Sequence, residues 1–238
     1  MAVTVRLPGS LRDAVGGENK VTASGSTLGE LLDDIERQHP GFRERVVDEA
    51  GRLRTYVNVY IGDADARGAG GLAAPVPAGA EVMVIPAMAG GTMVDGAPAQ
   101  RLVLPAAVRD EIVAHAREAG RVECCGLVAG RAGVATRVIR CANVAEAPAV
   151  RYRIDPREQL EAFRSLDAAG EDLVAIYHSH PASQPFPSPT DRIEAFYPDA
   201  VYVLVSLRTG APEIAAYRIG ADHPGSEKTV HAVELAGE

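Results

Sequence analysis

The chain has 238 residues, enough for one large domain or two small ones, and 47% of them are apolar, enough to build real cores. It contains no run of about 18 apolar residues, so no membrane span is expected, and its net charge of −8, with neither half basic, argues against a nucleic-acid partner. Three cysteines without a CxxC pair argue for a reducing compartment, and MAVTVRLPGS lacks the basic and apolar regions of a signal peptide, so a cytoplasmic location is expected.

In chain order, VTVRL (3–7) alternates as a strand does, GGENK (16–20) is a turn signal, and VTAS (21–24) reads as the return strand of a hairpin. SGSTLGELLDDIERQHPG follows. Ser26 or Thr27 can cap a helix there, Glu30 falls near its third position, and Leu28, Leu31, Leu32 and Ile35 share one face. Pro40-Gly41 stops it. TYVNVYIG (55–62) and VMVIP (82–86) read as further strands. Two strands, a helix and then more strands within about ninety residues suit an α+β domain with one helix across a mixed sheet.

That unit ends in AMAGG, and TMVDGAPAQ (92–100) is a small, polar linker. A second unit starts at Arg101. LVLPAAVRDEIVAHAREAG reads as a helix with Pro105 near its start and Gly120 at its end. CGLVAG (125–130) and TRVIRCANV (136–144) read as strands. DPREQLEAFRSLDAAG (155–170) is a second helix with Pro156 in its first turn and Gly170 beyond its end. DLVAIYHSH, AVYVLVSL (200–207) and EIAAYRI (213–219) are strands, with a helix start at SPTDRIEAF between the first two. Strands alternating with helices favour a layered α/β unit.

Chemistry concentrates at HSHPASQPFPSPTD (178–191). Residues i and i+2 of a strand share a face, so His178 and His180 point the same way at a strand end, a natural start for a metal site. A catalytic zinc takes three protein ligands and keeps a position for water, and Asp191 can supply the third from the first turn of the next helix. Ser188-Pro-Thr-Asp191 also fits a plain capping box with proline at the first helical position. The two readings are compatible, since a capped helix start holds its aspartate rigidly. A hydrolytic site further needs a base for the water's proton. Glu123, between a helix end and an apolar strand, is the best candidate, although nothing local sets it apart from a solvated loop acid. Cys124 and Cys125 are adjacent, so in a strand they face opposite ways and read as small buried hydrophobes. A cysteine nucleophile paired with one of the histidines is the competing arrangement.

The pattern Glu…His-x-His-x7-Ser-x2-Asp, met by Glu123, His178, His180, Ser188 and Asp191, resembles the JAMM (MPN+) metalloprotease signature, and ECCGLVAG and YHSHP around it are similar to that family too. The resemblance covers roughly residues 100–220. It implies that His178, His180 and Asp191 bind Zn2+, that Glu123 holds and deprotonates the water, and that Ser188 helps stabilise the oxyanion. It also implies cleavage of peptide or isopeptide bonds behind ubiquitin-like proteins. The alternative is a silent MPN-type scaffold, against which the full set of ligands and base argues.

Residues 1–91 resemble the β-grasp, ubiquitin-like sulfur carriers. SGSTLGELL, YVNVYIGDADAR and GGLAAPVPAGAEVMVIPAMAGG are closest to the carrier of the actinobacterial cysteine pathway. This implies a thiocarboxylate on a terminal glycine, sulfur transfer to an activated serine derivative, and a peptidase that releases cysteine from the carrier. The implied partners are an adenylating or sulfurtransferase enzyme and a cysteine synthase. Within this chain Gly91 is not a terminus, so the Gly91–Thr92 bond behind Gly90-Gly91 must first be cut, in cis or by a second copy. The expected architecture is therefore a ubiquitin-like carrier (1–91), a linker (92–100) and an α/β JAMM/MPN domain of the layered, cytidine-deaminase-like kind (101–238). Molybdopterin, thiamin, tRNA or secondary-metabolite sulfur transfer are the alternative pathways.

Overall fold

Strand and helix patterns of the first unit converge on one apolar layer. In the computed structural model, residues 2–7, 9–54, 57–86, 101–197, 200–220 and 228–237 are described, and they divide into two compact units, Met1–Ala87 and Met88–Glu238. The Gly90-Gly91 tail, Thr92 and the 92–100 linker lie outside the described residues. The first unit runs β1 (Ala2–Arg6), α1 (Gly9–Arg12), β2 (Lys20–Ser24), α2 (Leu28–Gln38), α3 (Arg43–Val46), β3 (Val57–Ile61), β4 (Ala64–Asp65) and β5 (Glu81–Pro86). Its sheet has the order β2-β1-β5-β3-β4, with β1 and β5 parallel and the other pairs antiparallel. Val3, Val5, Val21, Ala23, Val57, Val59, Val82 and Val84 face Leu28, Leu31, Leu32 and Ile35 of α2 in a single cluster. This is the β-grasp arrangement expected of the sequence.

The α2 cap differs by one residue from a simple capping box. Thr27 Oγ1 accepts from the Glu30 N–H (3.3 Å), but the Glu30 carboxylate reaches back to the N–H (2.8 Å) and hydroxyl (2.6 Å) of Ser26. Both residues proposed as caps are used, each for half of the motif. The short elements α1, α3 and β4 were not expected, because two to four residues carry no periodicity to read.

The second unit runs β6 (Arg101–Val103), α4 (Ala106–Ala119), β7 (Cys125–Arg131), β8 (Val134–Cys141), α5 (Pro156–Ala169), β9 (Asp172–His180), α6 (Pro189–Ile193), β10 (Val201–Ser206), β11 (Glu213–Gly220) and β12 (Thr229–Ala236). The strands lie in the order β10-β11-β12-β6-β8-β7-β9, and β9 pairs with β10 to close the sheet into a barrel. Every strand contributes to an inner cluster, through Leu102, Val128, Ala135, Ala175, Val203, Ala216 and Val233, and α4 packs there through Val108, Ile112, Val113 and Ala116. The other face carries Cys125, Leu127, Ile176, Tyr202, Leu204 and Ile219, covered by α5 through Ala162. The layers of helix, sheet and helix are those expected. The additional finding is that the sheet curls around α4 until its edges meet, which removes exposed edges. β6 and β12 complete the circuit. β6 has only three residues, and β12 is half exposed, so neither gives a strong strand pattern.

One glycine brings β7 close to β9. A Cβ on Gly126 would lie 2.4 Å from the Ile139 carbonyl oxygen and 2.6 Å from the Tyr177 ring and hydroxyl, so only glycine lets these strands approach around that ring. Among the described residues no helix is long and apolar enough to cross a membrane.

Candidate metal and hydrolytic site

The site lies at the carboxyl end of β9, whose barrel neighbour β10 runs parallel to it. Alternation puts Ile176, His178 and His180 on the outer face. His178 is fully buried and His180 is 4% exposed. Asp191 arrives from α6, where Ser188 Oγ accepts from the Asp191 N–H (3.1 Å) and Asp191 Oδ2 accepts from the Ser188 N–H (2.7 Å). The capping box and the candidate ligand are thus the same carboxylate, as the sequence allowed.

Three ligand atoms converge. His178 Nε2 and His180 Nε2 are 3.0 Å apart, His178 Nε2 lies 3.5 Å from Asp191 Oδ1, and His180 Nε2 lies 3.4 Å from Asp191 Oδ2. Zinc bonds of about 2.0–2.1 Å at tetrahedral angles put ligand atoms about 3.4 Å apart, and each imidazole lies at about that separation from one of the two Asp191 oxygens, with one ligand atom from each residue within 4.8 Å of the others. The His180 ring is oriented by its Nδ1, 2.8 Å from the Gln184 carbonyl oxygen. That contact makes Nδ1 the protonated nitrogen and leaves a lone pair on Nε2. His178 stacks on Tyr152 with ring centroids 4.5 Å apart and an interplanar angle of 24°. Burial holds the His178 imidazole below its usual pKa, so it stays neutral. Burial would raise the Asp191 carboxyl, but the two imidazoles and the Ser188 N–H outweigh it and keep it ionised, well below the usual range. Two buried imidazoles and the largely buried Asp191 carboxylate form a donor set for a divalent cation, which would take the place of any proton on His180 Nε2.

The base candidate is placed by strand register. β7 runs antiparallel to β9 with Cys125 opposite His178, so Glu123, two residues upstream on the same face, falls across from His180. Its backbone is tied on both sides: its N–H donates to the Pro148 carbonyl (2.7 Å), and its carbonyl accepts from Asn143 Nδ2 (2.9 Å). Glu123 is 5% exposed, and its Oε2 has no hydrogen-bond partner. Burial, reinforced by Asp191 and opposed by His180, pushes its carboxyl up to about 7. An unpartnered carboxylate oxygen in a dry site is costly unless it serves a ligand.

The structure therefore brings Glu123, His178, His180, Ser188 and Asp191 together. It sets the cysteines aside. Cys124 joins the inner cluster and Cys125 the outer one, all three cysteines are free, and burial raises each thiol, so no thiolate nucleophile forms. Tyr152, Asn143 and Gln184 were not read from the sequence as part of the site. Tyr152 acts through its ring face, Asn143 through a loop bridge and Gln184 through a backbone carbonyl, and none of these roles leaves a spacing signature.

Comparison with known proteins agrees with both halves. Residues 5–91 match the ThiS family, and residues 105–220 match the prokaryotic homologues of the JAB domain. The chain is 43% identical over 112 residues to a desampylase of Haloferax volcanii, covering 44% of this chain and 81% of that protein. It is 44% identical over 93 residues to the sulfur carrier protein CysO of Mycobacterium tuberculosis, covering 38% of this chain and all of that protein. It is 42% identical over 136 residues to the CysO-cysteine peptidase of the same organism, covering 56% and 92% respectively.

Proposed function

Because the chain belongs to the ThiS family in its first domain and to the prokaryotic JAB family of hydrolases in its second, we propose that it is a zinc peptidase fused to its own carrier. It hydrolyses the bond behind Gly91, first against Thr92 and then against the cysteine or other amine attached to the freed tail. The observation that carries this reading is the convergence of His178, His180 and Asp191 beside the unpartnered carboxylate of Glu123. The pathway is cysteine formation on the carrier, with an adenylating or sulfurtransferase enzyme and a cysteine synthase acting before the peptidase.

The two Nε2 atoms and an Asp191 oxygen would hold the zinc, which when bound supplies Lewis acidity and an acidified water. Glu123 takes the proton that water loses as its oxygen attacks the Gly91 carbonyl carbon. The same carboxyl returns that proton to the nitrogen leaving as the C–N bond breaks. The Ser188 hydroxyl accepts from Asp191, and its own proton remains free for the oxygen that gains negative charge. Burial serves this chemistry, since a carboxyl that titrates near neutrality can both accept and release a proton.

Intact mass followed over time tests the proposal, on the purified chain with zinc, with a chelator and as Glu123→Ala. The expected result is a zinc-dependent fragment ending at Gly91 that is absent from the variant. An uncut chain in every condition would remove self-processing. A relative from Thermus thermophilus named as a probable TtuB-protein conjugate cleaving protease favours a second reading, in which the amine behind Gly91 belongs to a protein. Faster release from a carrier–protein conjugate than from a carrier–cysteine adduct would select it.

A further inference from the structure

Of the chain's 24 basic residues, two are lysine, and only Lys20 and Lys228 interrupt the use of arginine. Lys228 is half-buried. Its Nζ donates to the carbonyls of Ile193 (2.9 Å) and Ala195 (3.1 Å) and lies 5.1 Å from the centroid of the Phe196 ring. These carbonyls sit at and just beyond the C-terminal end of α6. That helix has five residues, and one of them is Asp191.

A helix this short has little stability of its own. Its last carbonyls have no partners within the helix, and its C-terminal end favours a cation. The N-terminal end is already held by the Ser188–Asp191 box. A lateral strut joins in from the His178 side: Arg151 pairs with Glu194, and the residue after Arg151 is Tyr152, whose ring stacks on His178. Lys228 closes the remaining end. An ammonium with three diverging donors suits two carbonyls and a ring face, whereas a planar guanidinium fork suits paired coplanar acceptors. Burial brings the Lys228 amine down to about 8, so it is still mostly protonated at pH 7.

We propose that Lys228 is a positioning residue for the metal site, clamping the C-terminal end of α6 so that Asp191 meets the two imidazoles. The proposal rests on Asp191 being a metal ligand. It accounts for one of the two lysines in a chain that otherwise uses arginine, and it makes the residue that leads into β12 part of the site's support.

The test uses the full chain as Lys228→Met, which keeps the aliphatic stem and removes the donors. Two readouts are taken: amide hydrogen exchange over residues 189–195 in metal-free protein, and zinc affinity by competition with a chromophoric chelator. Exchange over α6 should quicken while the β9 amides stay protected, and zinc affinity should fall about 10-fold, the loss expected when a group supporting a ligand is removed. In turnover kcat should fall at limiting zinc and return at saturating zinc, with KM for the carrier unchanged. Lys228→Arg should recover α6 protection less than fully. Zinc affinity and α6 exchange equal to wild type in Lys228→Met would overturn the proposal, even if the variant melts earlier. A wild-type chain that takes up no zinc would overturn the metal reading and this one with it, so the two failures are distinguishable. Should Lys228→Met not fold, Lys228→Gln, which keeps a neutral donor, is read in the same way.

Discussion

The two domains spend their interiors differently. Among the described residues, every buried polar or charged side chain (Glu123, Gln159, His178, Ser179, His180 and Ser206) lies in the second domain, and the first buries none. The large apolar side chains left exposed divide in the same way. Val122, Val134, Val150, Phe186 and Ile193 are all in the second domain, and Val122, Phe186 and Ile193 fall within two residues of Glu123, Ser188 or Asp191. A domain that only has to be stable follows the simple partition, apolar inside and polar outside. A domain that performs chemistry departs from it at its site, because desolvated ionisable groups are the means of that chemistry. The first domain follows the simple partition throughout its described residues.

The largest expected effect breaks the second domain's function and leaves both folds standing. Glu123→Gln should lower hydrolysis behind Gly91 by about 100-fold or more, the share of a positioned general base. Its melting temperature should be equal to or above wild type at neutral pH, because the amide carries no buried negative charge to desolvate. Turnover and circular dichroism melts check both halves of this statement.

The converse substitution strikes the apolar domain. Leu31 is fully buried between α2 and the sheet. Leu31→Ala should cost the first domain about 2–5 kcal/mol, while turnover of a separate carrier adduct by the second domain stays within about twofold of wild type. A loss of that turnover would show that the domains are not independent.

Acidity sharpens the contrast further. In metal-free protein the Glu123 carboxyl sits at about 7 against an ordinary 4.5, because burial disfavours its charge. The folded state therefore holds that proton more tightly than the unfolded one. Its contribution is complete below about pH 4.5 and is lost as pH rises through about 7. His180 is shifted up as well and acts in the same sense. In the first domain Glu30, Glu36 and Asp48 are instead shifted down by hydrogen bonds to their charged forms, so their contribution is present above pH 4.5 and is lost on acidification. His178, shifted down by burial, acts in the opposite sense to Glu123, so the Glu123 share is read as a difference: in melts with chelator between pH 4.5 and 7.5 the second domain of the wild type should weaken relative to that of Glu123→Gln as pH rises, while the first domain holds steady. The smallest effect is local: Thr27→Ala removes half of the α2 cap and should cost the first domain about 1 kcal/mol, read from its denaturation midpoint.

What the sequence determined by itself is whatever is encoded locally. The face of α2 is written in the spacing of Leu28, Leu31, Leu32 and Ile35, the start of α6 in Ser188-Pro-Thr-Asp191, and the shared direction of His178 and His180 in strand alternation. The family resemblances extended this to the architecture of both domains. Only the tertiary structure decided the rest. Glu123 stands 55 residues before His178, and no local pattern selects it among the chain's acids. It is chosen by the antiparallel register that sets Cys125 against His178 and so carries Glu123 across from His180. The closure of the barrel through β6 and β12, the Tyr152 ring on His178 and the Lys228 clamp on α6 have the same origin. Periodicity records which face of an element is apolar. It does not record which element that face will meet, because pairing across a sheet is settled by packing and hydrogen-bond register over the whole domain.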